Sequence, residues 1–361
     1  MSRKQSLSQT RYIRFQMKDD TGRSFTMVQP GADLPARHSD LYMRGFRNPP
    51  ELRALIADAH NTKVFRTGAS ALADQLSVVL LLLAATSPAA RELGQPLAVL
   101  ILLIAVLIAA RQLRALENLV HEASHYNWSR HHRTLNDVLS AVLAATPTGA
   151  SIKAYRESHL LHHGRFGTRH DPDRQRYEQL ALEDLDRSGV LRYIGNILRR
   201  FIPYQRGWIK ATGSAPLISL LPFGWALVTV VTPALVLDGA RWALSAAGAW
   251  LFAYLIALPL LRFVAESSEH NYRGTDSVLA ATISNFGTLQ RLVIHPHGDG
   301  YHTIHHLWPG VPHHRLAALH RELLAESVEY REQIRYRTGV LQRPQTGIPD
   351  PRLPSPRKSD G

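Results

Sequence analysis

The chain contains no cysteine, which excludes disulfides and thiolate metal ligands together. Any metal bound here must be held by histidine and carboxylate. The first sixty residues contain no apolar run, so no cleavable signal peptide is expected. Acidic residues are outnumbered, 29 Asp and Glu against 42 Lys and Arg, giving a net charge of +13. A basic chain can bind nucleic acid, but no recognition motif accompanies this charge, and no nucleic-acid partner is expected. Charge is itself scarce in four stretches, roughly 69–85, 96–110, 215–237 and 242–261. A bilayer core takes ~20 mostly apolar residues, which the last two supply. The second reads LAVLILLIAVLIAA over 97–110, too uniformly aliphatic for a one-sided surface helix. A soluble bundle with buried helices is the competing reading.

The placement of the basic residues sets an orientation. Only Arg91 and Arg241 fall in the short loops after spans one and three; the other forty lie in the N-terminal arm, in 111–213 and in the C-terminal region. The excess of Lys and Arg marks the cytoplasmic side, so both termini and the central connection are expected there. The remaining positive charge suits anionic lipid headgroups. The expected fold is an all-α membrane protein: four transmembrane helices and a cytoplasmic helical cap holding a histidine-rich di-metal site. Residues 1–68 form an arm in which RYIRFQMK, DDTG and RSFTMV suggest a small β-hairpin. Residues 69–337 form the membrane domain. Residues 338–361, ending in QRPQTGIPDPRLPSPRKSDG, are expected to be disordered, being rich in Pro, Ser and charge. Span two meets no helix-breaker between Ala98 and Ser124, so it continues out of the bilayer and carries His121 ~15 Å past its apolar run. VLSAVLAATPTGA (138–150) is too short to span and is expected to dip into the interface.

Three histidine clusters stand out. HEASH holds His121 and His125; HLLHH holds His159, His162 and His163; HTIHH holds His302, His305 and His306. Offsets of three and four place each cluster on one helix face, where two or three imidazoles can converge on one metal or a close pair. One such cluster is weak evidence. Three, each near the end of a span on the same expected side, are specific. Eight imidazoles exceed the four ligands of a tetrahedral zinc and suffice for two metals with positions left open. A zinc hydrolase built on HEASH would leave the two HxxHH clusters unexplained. A metal transporter would carry ionisable residues inside its spans, and the apolar runs are almost free of them.

The surrounding residues extend the pattern. HEASHYNWSRHHRTLNDVL, YRESHLLHHGRFGTRHDPD and YHTIHHLWPGVPHHRL, with a pair of spans between the second and third, resemble the three histidine boxes of the integral-membrane fatty acid desaturase and hydroxylase superfamily. The resemblance covers about residues 65–325. It implies two non-haem irons that activate O2 as co-substrate. It also implies a lipid or fatty acyl substrate and a separate electron carrier, of ferredoxin or cytochrome b5 type, fed by a reductase. Carried over position by position, the implied iron ligands are His121, His125, His159, His162, His163, His302, His305 and His306. His270 in ESSEHN, just past span four, is implied as a ninth. Acyl-CoA desaturases that resemble this chain have Asn where Glu266 stands, and act there through water; Glu266 or Glu269 could ligate more directly. The three-residue gap in the first box is common in bacterial, plant and sphingolipid-type members, where the acyl-CoA enzymes have four.

Metal-bound histidines usually donate their second N–H to a carboxylate or carbonyl. Glu122, Asp171, Asp173, Glu266, Glu269 and Asp299 are the candidates for that outer role. His131, His132 and His170 are expected at the surface or in structural contacts. His295 and His297 lie in HPHG, a faint likeness to a cytochrome b5 haem motif without a haem domain around it. His313 and His314 open a new helix after WPGVP. The expected reaction is desaturation of an alkyl chain held between the spans. Hydroxylation and decarboxylation to a terminal alkene share the same ligand set, and a zinc-dependent membrane hydrolase or a metal transporter is the non-oxidative alternative.

Overall fold

The computed structural model describes residues 15–18, 24–27, 46, 50–212, 215–273, 275 and 277–349. The chain divides into two units, Met1–Arg37 and His38–Gly361. In the first, Phe15–Lys18 (β1) and Ser24–Met27 (β2) pair antiparallel, with Phe15 opposite Met27 and Lys18 opposite Ser24. The DDTG turn and residues 350–361 lie outside the described residues.

In the second unit the principal helices are α1 (Val64–Thr86), α2 (Gln95–Ser124), α3 (Ile152–Arg165), α4 (Pro172–Leu180), α5 (Val190–Thr212), α6 (Pro216–Asp238), α7 (Ala240–Glu266), α8 (His302–Leu307) and α9 (His313–Glu326). Helices α1, α2, α6 and α7 are long and apolar enough to cross a membrane, with mean hydropathy between 1.7 and 2.3 over their most apolar windows. Their large apolar side chains point outwards: Leu80, Leu103, Val228 and Leu244 are all exposed. The faces turned inwards are rich in small residues, with Ala71, Ala109, Ala246 and Ala253 fully buried beside larger ones such as Leu82 and Leu113. Small residues between helices and aliphatic ones around them suit packing in lipid, and a soluble bundle would show the reverse. Polar side chains pin the helices together. Gln75 donates to the Leu143 carbonyl at 2.7 Å and accepts from the Trp225 indole at 2.9 Å. The Trp242 indole donates to Thr86 Oγ1 at 3.0 Å. The 133–148 segment thus lies against α1 rather than standing apart from the bundle.

Proline shapes these helices in a regular way. Widened π-helical turns occupy Ala141–Ala145, Leu227–Val231, Ala253–Ala257 and Gln290–Ile294. Each is followed by one residue and then a proline: Pro147, Pro233, Pro259 and Pro296. The residue before each proline donates its N–H five positions back, to Ala141, Leu227, Ala253 and Gln290. Proline lacks an N–H and its ring crowds the carbonyl four residues earlier; one extra residue in the turn relieves that crowding without ending the helix.

Helices α3, α4, α5, α8 and α9 build the cap, with a small sheet of Ser284–Asn285 (β3), Arg335–Arg337 (β4) and Gln345–Thr346 (β5). Strand β4 lies between the others, parallel to β3 and antiparallel to β5. The expected disordered tail from 338 is therefore ordered as far as residue 349. Gly347 at φ 78° makes the turn that returns the chain, and Gly347 and Ile348 donate to the Ile334 and Arg331 carbonyls at 2.9 Å. Ile348 packs on the cap's apolar cluster, which supplies the burial that the tail's composition concealed.

Candidate metal centre

Each histidine box sits where a helix end is held by side chains. Box one ends α2, whose last carbonyls need partners. Asn136 Nδ2 donates to the Ala123 carbonyl at 3.0 Å, and the Arg156 guanidinium donates to the Ala123 and Ser124 carbonyls at 2.9 and 3.1 Å. Asp137 in turn grips Arg156 through two oxygens. The Asn-Asp pair after the box is therefore a cap for the helix that presents His121. Box two lies on α3, capped by Ser151, whose hydroxyl accepts from Ala154 N. Box three forms α8. Its approach is fixed by a bond from Asn285 N to the Gly300 carbonyl at 2.7 Å and by Thr303, whose hydroxyl lies 3.0 Å from those of Thr282 and Ser284.

The nine imidazoles converge as two adjacent groups. His121, His125, His159, His163 and His305 form one, with a ring nitrogen of each within 4.8 Å of the others. Four of these Nε2 atoms make a closed ring with edges of 2.8 Å (His121–His159), 3.1 Å (His159–His163), 2.9 Å (His163–His305) and 3.0 Å (His305–His121). An imidazole nitrogen carries one proton or one lone pair, so such a ring makes poor hydrogen bonds. A flat square of that edge puts its centre about 2.1 Å from each corner, the length of a metal–imidazole bond. His125 Nε2 is buried without a hydrogen-bond partner among the described residues, as a ligand nitrogen would be. The second group links His162 to His306 at 3.3 Å, His306 to His302 at 3.1 Å and His302 to His270 at 3.0 Å. Boxes two and three are therefore both split: His159 and His163 face one way and His162 the other, while His305 parts from His302 and His306.

Electrostatics favour neutral, metal-ready rings. Burial, reinforced by neighbouring imidazoles, holds His125, His159, His163, His270, His305 and His306 well below the ordinary histidine range. Burial pulls His302 down to about 3 against the attraction of Asp299. His162 departs from this pattern: burial opposes its charged form, but Asp173 and Asp171 outweigh it and raise the pKa. His162 Nδ1 lies 2.8 Å from Asp171 Oδ1, with both side chains buried. That contact fixes Nδ1 as the donor and frees Nε2 for a metal. Asp171 also caps α4 by accepting from Asp173 N and Arg174 N, and its other oxygen accepts from Gly167 N at 2.8 Å.

Residues 96–338 match the family model described as fatty acid desaturase. The chain belongs to the fatty acid desaturase family. All nine histidines fall inside the matched region. A curated relative, the dihydrorhizobitoxine desaturase of Bradyrhizobium elkanii, is 28% identical over 239 residues, which are 58% of this chain and 64% of the relative. The match thus spans less than two thirds of that relative's length.

Not every expected outer residue of this family member touches a box histidine. Asp171 does, and Asp173 Oδ2 approaches His162 at 3.9 Å. Glu122 instead accepts from the His313 backbone N–H at 2.6 Å, tying α2 to the start of α9. Glu266 pairs with Arg176 at 3.2 Å rather than facing the second histidine group as a ligand. Glu269 and Asp299 face His295, at 3.7 and 3.0 Å. The remaining described histidines stay apart from the two groups. His131, His132 and His170 are exposed. His297 pairs with Asp74 of α1 at 2.6 Å, and His313 stacks edge-on against His297.

Arginines that the histidine pattern did not single out link these carboxylates into a chain of charges beneath the histidines. Arg114 pairs with Asp299 at 3.1 Å and Glu117 at 3.6 Å; Arg262 pairs with Glu117 at 3.5 Å; Arg176 pairs with Asp173 at 3.1 Å. A signal for it was present. Residues 114, 117, 118 and 121 share a face of α2 by their spacing, and 262 and 266 share one of α7. These ionisable residues lie where α2 and α7 run on past the apolar stretches 96–110 and 242–261 into the cap. A cavity opens on both histidine groups and on this charged chain, lined among others by His121, His302, Arg176 and Glu269.

Proposed function

We propose that the chain is an O2-dependent oxidoreductase that holds two irons on its nine histidines and converts a saturated carbon–carbon bond of an alkyl segment into a double bond. The observation that carries this reading is the sorting of nine imidazoles into adjacent groups of five and four beside one cavity. Imidazole suits iron, and no thiolate competes because the chain has no cysteine. Bound iron would supply the oxidant that no side chain provides. In balance, the substrate gives up two hydrogens with two electrons, an external carrier gives two more electrons, two protons come from solvent, and O2 leaves as two waters.

The protein's own contribution is positional. Asp171 sets the tautomer and direction of His162. Arg156, Asn136 and Asp137 fix the helix end that presents His121, so the distance between the two groups is set by capped, rigid elements. The four apolar helices support integration in a membrane, and the distribution of Lys and Arg supports a cytoplasmic location for the metal site and both termini. Electrons come in this reading from a separate carrier of ferredoxin or cytochrome b5 type with its reductase.

Purified protein should hold two irons per chain by metal analysis, and a single zinc would sink the proposal. His305→Ala, in the first group, and His302→Ala, in the second, should each lower the content towards one iron. His314→Ala should keep both, since that ring touches neither group. Expression in a host lacking such enzymes, with mass spectrometry of the products, distinguishes an alkene from an alcohol.

A further inference from the structure

We infer that α5 lies in the membrane interface, with an aliphatic stripe among the acyl chains and a row of basic side chains on the headgroups of anionic phospholipid. The inference is independent of the reaction at the histidines.

Helix α5 reads VLRYIGNILRRFIPYQRGWIKAT and holds no acidic residue. Leu191, Ile194, Leu198, Ile202 and Ile209 follow at steps of three, four, four and seven, which line them up along one side of a helix. These five are between 46% and 84% exposed. Arg192, Arg199, Arg206 and Lys210 follow at steps of seven, seven and four. They form a second row beside the first, ~27 Å long, and all four are exposed. Arg192 reaches Asp186 at 3.8 Å, whereas Arg199, Arg206 and Lys210 have no ion-pair partner among the described residues. The third side belongs to the protein. Tyr193, Ile197 and Tyr204 are buried there. Tyr204 stacks flat on Phe263 of α7 at 4.1 Å, and the Arg262 guanidinium lies 3.4 Å over the Trp208 ring. Packing against the rest of the chain thus uses one side of α5 and leaves an aliphatic and a basic side uncovered.

Five large aliphatic side chains in one exposed row are unlike the scattered apolar residues of a protein surface in water. The chain's own continuity says what covers them. Helix α5 ends at Thr212 and the span α6 begins at Pro216, so the two ends lie within about 15 Å of each other. The exposed aliphatic surface resumes at once with Leu217 and Leu220. The C-terminal end of α5 is therefore held at the edge of the bilayer. An aliphatic stripe flanked by cations is the composition of a helix that lies in the interface plane. Long basic side chains reach the phosphates from there while their stems stay among the acyl chains. The charge selects the lipid, since each Lys or Arg near the surface favours an anionic headgroup by about fivefold. A second copy of the chain is a poorer cover. Two α5 helices face to face would bring their cation rows together with no carboxylate on either helix.

Because the chain has no cysteine, a single introduced one can be spin-labelled without background. Leu198→Cys lies on the aliphatic stripe, Leu103→Cys on the exposed face of α2, and Glu322→Cys on the exposed face of α9. Each full-length labelled protein is placed in nanodiscs of mixed phosphatidylcholine and phosphatidylglycerol. The label at position 198 should collide more often with oxygen than with a water-soluble nickel chelate, as the label at 103 does, while the label at 322 does the reverse. A label at 198 that meets the chelate as freely as the one at 322 would overturn the inference. So would one shielded from both reagents, which would mean a protein cover. Charge is read separately, as phospholipid retained per chain by mass spectrometry after gel filtration from detergent holding both lipids in equal amounts. The ratio of phosphatidylglycerol to phosphatidylcholine should fall about tenfold or more in the triple variant Arg199→Gln, Arg206→Gln, Lys210→Gln. Arg199→Lys with Arg206→Lys should leave it unchanged. An unaltered ratio in the triple variant would overturn the anionic preference. If that variant does not fold, the wild-type ratio across a salt series decides: it should drop as salt rises, and a flat ratio overturns the preference.

Discussion

Asp171 is the point where folding and metal binding can be pulled apart. Its Oδ1 accepts from His162 Nδ1 at 2.8 Å, from Asp173 N at 2.9 Å and from Arg174 N at 3.3 Å, while Oδ2 accepts from Gly167 N at 2.8 Å. Asp171→Asn keeps the shape and, with its oxygen at the Oδ1 position, keeps the helix cap. It removes the negative charge behind His162 and turns an amide donor towards the Gly167 N–H. Loss of a carboxylate behind a metal-bound histidine typically weakens metal binding ~10–100-fold, or about 1.4–2.7 kcal/mol. The clash of two buried donors at Gly167 adds roughly 1–3 kcal/mol to the cost of folding. Asp171→Ala should lose the cap as well, a further ~1 kcal/mol. The assay is metal retained per chain across a chelator series, with thermal unfolding in detergent alongside. Asp171→Asn should release the metal of the second histidine group at a lower chelator concentration while the first group holds its own. The reasoning fails if both metals leave at the wild-type concentration, or if the first group empties before the second.

Gly300→Ala tests the approach to box three, because a Cβ there would overlap the Asn285 carbonyl oxygen. Overpacking of this kind costs typically ~1–3 kcal/mol, so the variant should melt earlier and lose metal from the group containing His302; wild-type melting and metal content would refute the claim. His320 tests pH dependence away from the metal site. Buried and 2.9 Å from the Tyr330 hydroxyl, it is lowered to about 4 by burial and by Arg321. The unfolded chain takes up this proton near pH 6.5 and the folded chain only near 4. Its stabilising contribution is therefore full above about 6.5 and is lost as pH falls towards 4, by on the order of 3 kcal/mol. His320→Gln should flatten the stability of the protein over that window relative to wild type, and an unchanged slope would count against the assignment.

What was legible in the sequence was local. Four spans follow from runs of apolar residues, and the boxes follow from imidazoles at i, i+3 and i+4. Both signals need only a helix, whose periodicity is the same wherever it packs. The expected absence of order after residue 338 failed for the complementary reason. The composition of 338–349 offers little to bury, and only the cap surface that receives Ile348 and pairs with Gln345–Thr346 makes order worthwhile.

The sequence by itself marked the eight histidines of the three boxes and the four apolar helices, and the family resemblance added His270; the fold brings those nine rings together. Tertiary structure decided how the nine divide. Neighbours on a helix point about 100° apart, so His162 and His163 are neighbours in the chain that face different partners, and the packing of α3 against α2 and α8 chose those partners. It also decided what surrounds the histidines. Arg114, Arg176 and Glu266 come from three helices that are far apart in the chain, and Glu269 from the turn after the third; no local pattern says that they meet in one cavity.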